Sequence, residues 1–212
     1  MTTLDIFADP VCPWCRIGQA HLQAALAARP GHGLTIAWHP FQLDPALPRE
    51  GEDRQAYMEA KFGSAEAVAR ANAQMIEAAS AAGLTVDIDA IARCPNTFDA
   101  HRLIHWAAIE GVQDAVVAAL MQAYWSEGRD IGQPDVLADI AAAAGMDGAA
   151  VARLLASEAD AAEVAAREAH ARARGVRAVP TFVIGNEYAV EGAQPAAFWV
   201  QVIDEIKARA GT

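Results

Sequence analysis

Two cysteines near the amino terminus, Cys12 and Cys15, have the spacing of a redox pair. A thiolate is the attacking species in thiol–disulfide exchange, and this spacing lets the second thiol reach back and resolve a mixed disulfide formed at the first. Pro13 fits the first turn of a helix, and Trp14 offers an apolar surface for a substrate. The motif predicts Cys12 as the attacking thiol and Cys15 as the resolving thiol, with Pro13 and Trp14 beside the substrate.

The cysteine pair is predicted to lie where a strand meets a helix. Residues 3–8 have the pattern of a short strand, which Asp9-Pro10 ends because proline restricts the residue before it. Apolar residues then recur at helical spacing up to residue 28. Cys12 would therefore lie at a helix N-terminus, where unpaired N–H groups and the helix dipole stabilise a thiolate.

Two close cysteines can also pack in a core or form part of a zinc site. A structural zinc site needs four ligands, and Cys94 and His101 are the only plausible additional ones. His101 and His105 could share a helix face, but no further ligand follows them at a metal spacing. The sequence therefore predicts no metal. Cys94 is either a third redox thiol or an inert residue, and we favour the inert interpretation.

The chain is predicted to begin and end with β-structure and to be helical in between. A second strand covers residues 34–41, and residues 181–184 and 188–190 form a hairpin, which a helix over residues 195–209 follows. The block between them has helical patterns and almost no strand signal. Its predicted helices are 53–62, 64–82, 97–110, 112–127, 134–144, 147–156 and 158–174.

A proline at the start of a strand, Pro180, is the second signature of the chain. Together with the cysteine motif after a strand, Val179-Pro180 resembles the thioredoxin superfamily, in which a cis-proline before the third core strand faces the active-site cysteines. The resemblance implies a cis bond between Val179 and Pro180. It also implies that the Val179 backbone pairs in β-fashion with an extended substrate segment.

The length of the helical block resembles the DsbA-like branch of that superfamily. Four local motifs are similar to FrnE-like members of the DsbA family, namely CPWCRIG at 12–18, PFQLDP at 40–45, NTFDAHRL at 96–103 and GAQP at 192–195. The resemblance implies an α/β thioredoxin-like fold with a large all-helical insertion between the second and third core strands. Residues 1–52 and 175–212 would then form the thioredoxin-like domain, and residues 53–174 the inserted helical domain.

The resemblance implies a thiol–disulfide oxidoreductase that acts on protein or small-molecule thiols and disulfides through a mixed disulfide. Asn96 either caps a helix or helps to position the substrate. Two alternatives stay open: a glutathione-dependent isomerase or transferase related to 2-hydroxychromene-2-carboxylate isomerase, and a non-catalytic binding or chaperone-like module. Relatives of the first kind generally carry serine in place of Cys12, so the pair favours redox chemistry. No cofactor is expected, although glutathione could serve as a co-substrate.

The composition of the chain limits the kinds of binding partner and the cellular location that we expect for the protein. The 212 residues include 16 Lys and Arg and 27 Asp and Glu, and the formal net charge of -11 repels nucleic acid and anionic membranes on average. No long apolar run is free of charges, so we predict no membrane span. The first residues lack the features of a secretory signal, which predicts a cytoplasmic protein. The sequence does not determine the oligomeric state, and a homodimer is one of the alternatives that stay open.

Overall fold

The computed structural model describes residues 1–210 of the chain. Within that range the strands are β1 (Thr2–Ala8), β2 (Leu34–Pro40), β3 (Glu52–Asp53), β4 (Arg93–Cys94), β5 (Thr181–Ile184) and β6 (Tyr188–Glu191). The helices are α1 (Pro13–Ala28), α2 (Arg54–Phe62), α3 (Ala65–Ala81), α4 (Phe98–Ile109), α5 (Gln113–Glu127), α6 (Pro134–Ala143), α7 (Gly148–Leu155), α8 (Ala161–Ala173) and α9 (Ala196–Ala210). Over these residues, no helix has both the length and the apolar character that crossing a bilayer requires.

Four strands form the central sheet in the order β2-β1-β5-β6. β1 runs parallel to β2, with Leu4 opposite Ile36, and antiparallel to β5, with Phe7 opposite Thr181. Helix α1 connects the two parallel strands, and β6 extends the sheet as the second strand of a hairpin. Helices α2 to α8 all lie between β2 and β5 in the chain. The predicted fold class, a thioredoxin-like fold with its helical insertion between the second and third core strands, is confirmed.

The inserted segment is not entirely helical, contrary to the prediction of almost no strand signal. Strands β3 and β4 form a two-residue antiparallel ladder in which Glu52 lies opposite Cys94. Gly51, with φ of 70°, makes this approach feasible, because a Cβ at that position would clash with the carbonyl of Cys94. Asp53, predicted as the first residue of a helix, is instead the N-cap of α2 and accepts a hydrogen bond from the Ala56 N–H at 2.9 Å.

A buried arginine on α4 holds the turn between α7 and α8 in place. The Arg102 guanidinium is 1 % exposed, pairs with Asp99 at 2.7 Å and donates to the backbone carbonyls of Leu154, Ser157 and Ala159. Because these contacts hold the chain in a turn, α8 begins after residue 158, where the sequence predicted its start. Asp160, with φ of 54°, adopts a left-handed conformation that no helix interior tolerates.

One continuous cluster of buried apolar side chains joins the sheet to the inserted helices. It includes Leu4 and Phe182 from the sheet and Leu103 and Leu120 from the insertion, each fully buried. Apolar burial of this extent is the dominant stabilising contribution to a folded chain. The division into a thioredoxin-like domain and an inserted domain, with boundaries near residues 52 and 175, stays a prediction.

Replacing the buried arginine with an apolar residue should destabilise the protein. In Arg102→Met, three backbone carbonyls lose their donor and Asp99 loses its buried partner, so we expect the free energy of unfolding to fall by about 3 kcal/mol in urea titrations. Arg129→Met is the matched control, because Arg129 pairs with the exposed Asp139 and such pairs contribute at most about 1 kcal/mol. Equal losses in the two variants would contradict the role of Arg102.

Candidate active site

Cys12 occupies the N-cap of α1, the position that the sequence predicts for it. Its backbone is extended, with φ of -83° and ψ of 116°, and Pro13 is the first residue of the helix. The Cys12 N–H donates to the Asp9 carbonyl at 2.9 Å, and the Cys12 carbonyl accepts from the Cys15 N–H at 3.1 Å. These contacts fix the sulfur of Cys12 at the positive end of the helix dipole, where a thiolate is stabilised.

The backbone before β5 faces the Cys12 sulfur. The bond between Val179 and Pro180 is cis, as the family resemblance implied. The Cys12 thiol donates to the Val179 carbonyl at a sulfur–oxygen distance of 3.6 Å. Gly18 lets α1 lie this close, because a Cβ there would be 3.3 Å from both Pro180 and Phe182. The structure therefore brings together Cys12, Pro13, Val179 and Pro180, four of the predicted site residues.

Cys15 lies one turn deeper and is 1 % exposed, compared with 3 % for Cys12. Burial, together with the neighbouring Cys12 thiol, holds the pKa of the Cys15 thiol well above its ordinary value. Cys15 is therefore a neutral thiol at neutral pH. Such a group suits the second step of an exchange, in which it has to lose a proton as its sulfur attacks.

A cavity of about 400 Å³ opens beside Cys12. The first residues of α1 and the Val179 backbone line one side, and helices α2 and α3 line the other. A second cavity, of about 630 Å³, lies between α8 and the sheet and does not include the cysteines. The smaller cavity is therefore the one where a substrate can meet the thiol. Its apolar lining includes Val11, Leu43, Leu47, Met58, Phe62, Met75 and Trp125.

Two cations and an indole line this active-site cavity. Arg54 is buried and donates to the Asn72 side chain at 3.3 Å, and Lys61 is exposed and donates to the Tyr57 hydroxyl at 3.0 Å. Trp14 also lines the cavity and is 44 % exposed, so its ring is accessible to a bound molecule. An apolar cavity with a few charged groups is typical of a site for small organic molecules.

Asn96 does not line the active-site cavity. Its Oδ1 accepts from the Phe98 N–H at 2.9 Å and from the Gln42 side chain at 3.2 Å, and its Nδ2 donates to the Leu47 carbonyl at 2.7 Å. These bonds connect the loop after β2 to the start of α4. The N-cap of α4 is Thr97, not Asn96, which accepts the Phe98 N–H from one position earlier in the chain. A role of Asn96 in substrate binding stays a prediction.

Two buried polar residues that sequence analysis did not assign lie below the cysteines. Asp9 is 1 % exposed, and His101 is 2 % exposed. Burial raises the pKa of the Asp9 carboxyl to about 7, although hydrogen bonds from Leu43, Val11 and Thr97 lower it. Burial also lowers the pKa of the His101 imidazole to about 4. The signal in the sequence was an ionisable residue three positions before Cys12, which we interpreted only as the end of a strand.

Cys94 lines the same cavity as Cys12. Burial raises the pKa of the Cys94 thiol, and a hydrogen bond with the Tyr124 hydroxyl partly offsets this effect. A neutral thiol is a poor nucleophile, which agrees with the inert interpretation of Cys94. All three cysteines, Cys12, Cys15 and Cys94, are present as free thiols.

A group of candidate metal ligands occurs away from the cysteines. Ligand atoms of His105, Asp160 and Glu163 lie within 4.8 Å of one another. The Arg167 guanidinium is 3.0 Å from Nδ1 of His105, and the Trp106 indole donates to Asp160 at 2.8 Å. Positive charge and an existing hydrogen bond therefore already occupy these groups, so the cluster is a poor cation site.

Together, the fold, the cysteine pair at a helix start and the facing proline define a thioredoxin-fold protein. A family model described as "DSBA-like thioredoxin domain" matches residues 3–204. The chain therefore belongs to the DsbA-like thioredoxin family, and the family predicted from the motifs is confirmed at that level. The uncharacterized protein YwbO of Bacillus subtilis is 25 % identical over 210 residues, which are 96 % of this chain and 97 % of that protein.

Solved structures agree with this assignment. A probable DsbA oxidoreductase, SCO1869 from Streptomyces coelicolor, superposes with a TM-score of 0.87 and 32 % identity, over 97 % of this chain and 89 % of that one. Two more distant structures share the fold. They are the cytosolic disulfide reductase DsbM of Pseudomonas aeruginosa with GSH (TM-score 0.67, 19 % identity, 97 % and 99 % covered) and a 2-hydroxychromene-2-carboxylate isomerase (TM-score 0.72, 17 % identity, 99 % and 97 % covered).

Proposed function

We propose that the protein catalyses thiol–disulfide exchange at Cys12, with Cys15 as the resolving thiol. The observation that carries this proposal is the position of the Cys12 sulfur, at the N-cap of α1 and 3.6 Å from the Val179 carbonyl, beside a cavity of about 400 Å³. The thiolate of Cys12 attacks one sulfur of a substrate disulfide and releases the other as a thiolate. Cys15 then attacks the mixed disulfide, closes the Cys12–Cys15 bond and releases the second substrate thiol.

The backbone of Val179, whose carbonyl faces the Cys12 sulfur just before β5, supports the placing of a substrate. A substrate segment that becomes extended beside this backbone can pair with it through main-chain hydrogen bonds, as in β-augmentation. Pro13 and Trp14 form the adjoining surface at the start of α1. All electrons in the exchange move between sulfur atoms, so the step requires no resident cofactor or metal.

A small disulfide that carries carboxylates is the substrate class that this cavity fits best. The apolar wall can hold aliphatic parts of the molecule, whereas Arg54 and Lys61 offer positive charge to a carboxylate. Glutathione disulfide has this chemistry, and glutathione is named with DsbM, one of the structures that share the fold. We therefore propose glutathione as a co-substrate rather than as a bound cofactor.

The isomerase or transferase alternative uses the same cavity with glutathione bound non-covalently. The buried resolving thiol favours the redox proposal, because an isomerase has no step that requires Cys15. Tight glutathione binding without reduction of disulfides would favour the alternative. If the protein is a binding or chaperone-like module, its binding should not change when either cysteine is lost.

Replacing Cys12 and replacing Cys15 should block the exchange at different steps. Cys12→Ser is expected to reduce the turnover of glutathione disulfide by about a hundredfold or more, because the attacking sulfur is lost. Cys15→Ser is expected to stop at the mixed disulfide, which mass spectrometry detects as one glutathione attached to Cys12. Cys94→Ser is the matched control and should keep its turnover. A Cys12→Ser protein with undiminished activity would exclude the proposed nucleophile.

Removing the exposed charge of the cavity should affect acidic substrates only. In Lys61→Gln, we expect KM for glutathione disulfide to rise about two- to fivefold, the range for a solvent-exposed ion pair. The uncharged 2-hydroxyethyl disulfide should keep its KM. Lys207→Gln changes the other lysine of the chain, which lies on α9 and donates to the Pro30 carbonyl, and it should leave both values unchanged. An equal rise for both substrates would indicate that Lys61 shapes the cavity rather than binds a carboxylate.

A further inference from the structure

The cavity of about 630 Å³ between α8 and the sheet, which we call the α8 cavity, takes no part in the exchange proposed above. Its volume is typical of sites that bind small organic molecules. Thr181 and Val183 line it, whereas Phe182 lies between them on β5 and packs beside α1. Successive side chains of a strand point to opposite faces, so the α8 cavity lies on the sheet face opposite α1.

Two elements enclose the α8 cavity from opposite edges of the sheet. Helix α8 packs against β2, which is one edge strand, and the hairpin of β5 and β6 ends in the other edge strand. Both elements line the cavity. Between them lies Phe7 of β1, whose ring is stacked on His39 at a centroid distance of 4.9 Å. A bound molecule therefore meets α8 on one side, the hairpin on the other and an aromatic ring below.

Some polar groups of the α8 cavity are already hydrogen-bonded within the protein. The Arg167 guanidinium donates to Nδ1 of His39 at 3.2 Å and to Nδ1 of His105 at 3.0 Å, because an arginine can only donate. Nδ1 of His39 is therefore an acceptor, and its Nε2 N–H donates to Asp5 at 2.6 Å. These bonds attach α8 to the sheet and to α4, so this group shapes the cavity rather than binds a ligand.

Four other side chains of the α8 cavity have no such partner. The exposed Arg174 and His170 lie on α8, and the exposed Glu187 and Glu191 lie in the hairpin turn and on β6. Within residues 1–210, none of the four side chains forms a hydrogen bond or an ion pair. The Arg174 cation and the two carboxylates therefore lie on different sides of the cavity without reaching each other. Unpaired charges in a concave site attract groups of the opposite sign.

We propose that the α8 cavity binds a small zwitterion of the size of a dipeptide, with its carboxylate at Arg174 and its ammonium group at Glu187 or Glu191. The two glutamates repel a simple anion, and Arg174 repels a simple cation, whereas a zwitterion presents the opposite charge to each side. Apolar side chains of the ligand pack on Phe7 and Val183, which lie between the charged groups.

The separation of the charges favours a dipeptide over a single amino acid. The nitrogen and oxygen atoms of an ion pair are at most about 4 Å apart, and Arg174 forms no ion pair with either glutamate. An extended chain spans about 3.3 to 3.6 Å per residue, so the charged ends of a dipeptide lie about 7 Å apart. A molecule of that length can contact both sides of the cavity at once. In a free amino acid, by contrast, both charged groups are attached to the same carbon.

Isothermal titration calorimetry of the reduced, full-length protein with L-leucyl-L-leucine tests this proposal. The dipeptide contains no sulfur, so it cannot react with the cysteines. We expect saturable binding of one molecule per chain. N-acetyl-leucyl-leucine lacks the ammonium group and leucyl-leucinamide lacks the carboxylate. Each should bind about two- to fivefold more weakly than the dipeptide, the range for one exposed ion pair.

Variants of the exposed charges assign each end of the ligand to its partner. Arg174→Gln should raise the Kd of leucyl-leucine about two- to fivefold and leave that of leucyl-leucinamide unchanged, because the amide has no carboxylate to lose. The double variant Glu187→Gln with Glu191→Gln should weaken leucyl-leucine but not N-acetyl-leucyl-leucine. Arg153→Gln is the matched control, because Arg153 is exposed on α7 and does not line the cavity. It should leave every Kd unchanged.

Three results would overturn the proposal. The first is a titration without saturable binding. The second is weaker dipeptide binding in Lys61→Gln, which would place the dipeptide in the active-site cavity. The third is a dimer in sedimentation velocity that Arg174→Gln dissociates, because a second copy of the chain would then cover this face. None of these measurements uses turnover, so their failure leaves the proposed exchange at Cys12 untouched.

Discussion

The antiparallel pairing of β1 with β5 brings together groups that lie 167 residues apart in the chain. Because Phe7 pairs with Thr181, the residues that follow β1 and those that precede β5 lie at the same edge of the sheet. Cys12 and Val179 meet there. The whole inserted segment, with α2 to α8, therefore starts and ends near that edge, and its helices can form the opposite wall of the cavity.

Exclusion of water gives the groups at this edge their distinct chemistry. Both cysteines and both residues below them are at most 3 % exposed, and in such surroundings charges interact more strongly than in water. Cys12 lies at the N-terminus of α1, and burial holds the pKa of the Cys15 thiol well above its ordinary value. The same burial leaves Asp9 near the midpoint of its titration at neutral pH. The exchange proposed above assigns the attacking role to Cys12 and the resolving role to Cys15.

Much of the site could be predicted because its signals are local. A C-x-x-C motif between a strand and a helix predicts the N-cap position of Cys12. A proline before a strand predicts, through the family resemblance, the cis bond between Val179 and Pro180 that faces the cysteines. The ladder of β3 and β4 has no such signal, because two residues carry no periodicity and the pairing depends on the close approach of Gly51 to Cys94.

Other parts of the site depend on packing that no short segment encodes. Asp9 before Pro10 has the same pattern as an ordinary strand end, and His101 has that of one more residue on a helix. Only the tertiary structure brings His101 Nε2 within 3.9 Å of Asp9 Oδ1. For Asn96, the family motif predicted a position beside the substrate. In the structure its side chain is hydrogen-bonded to Gln42 and Leu47 and does not line the active-site cavity. Which faces of α2 and α3 meet the cysteines is likewise set by tertiary contacts.

Mapping the disulfides after equilibration with mixtures of glutathione and glutathione disulfide tests the central claim most directly. If Cys12 and Cys15 form the redox centre, peptide mass spectrometry of acid-quenched samples should show a single oxidised species with a Cys12–Cys15 bond and Cys94 still a thiol. The ratio of reduced protein to that oxidised species should be proportional to the square of the glutathione concentration divided by the glutathione disulfide concentration, as a two-electron couple requires. A stable glutathione adduct on Cys12 as the main oxidised product, or a bond between Cys12 and Cys94, would contradict the claim.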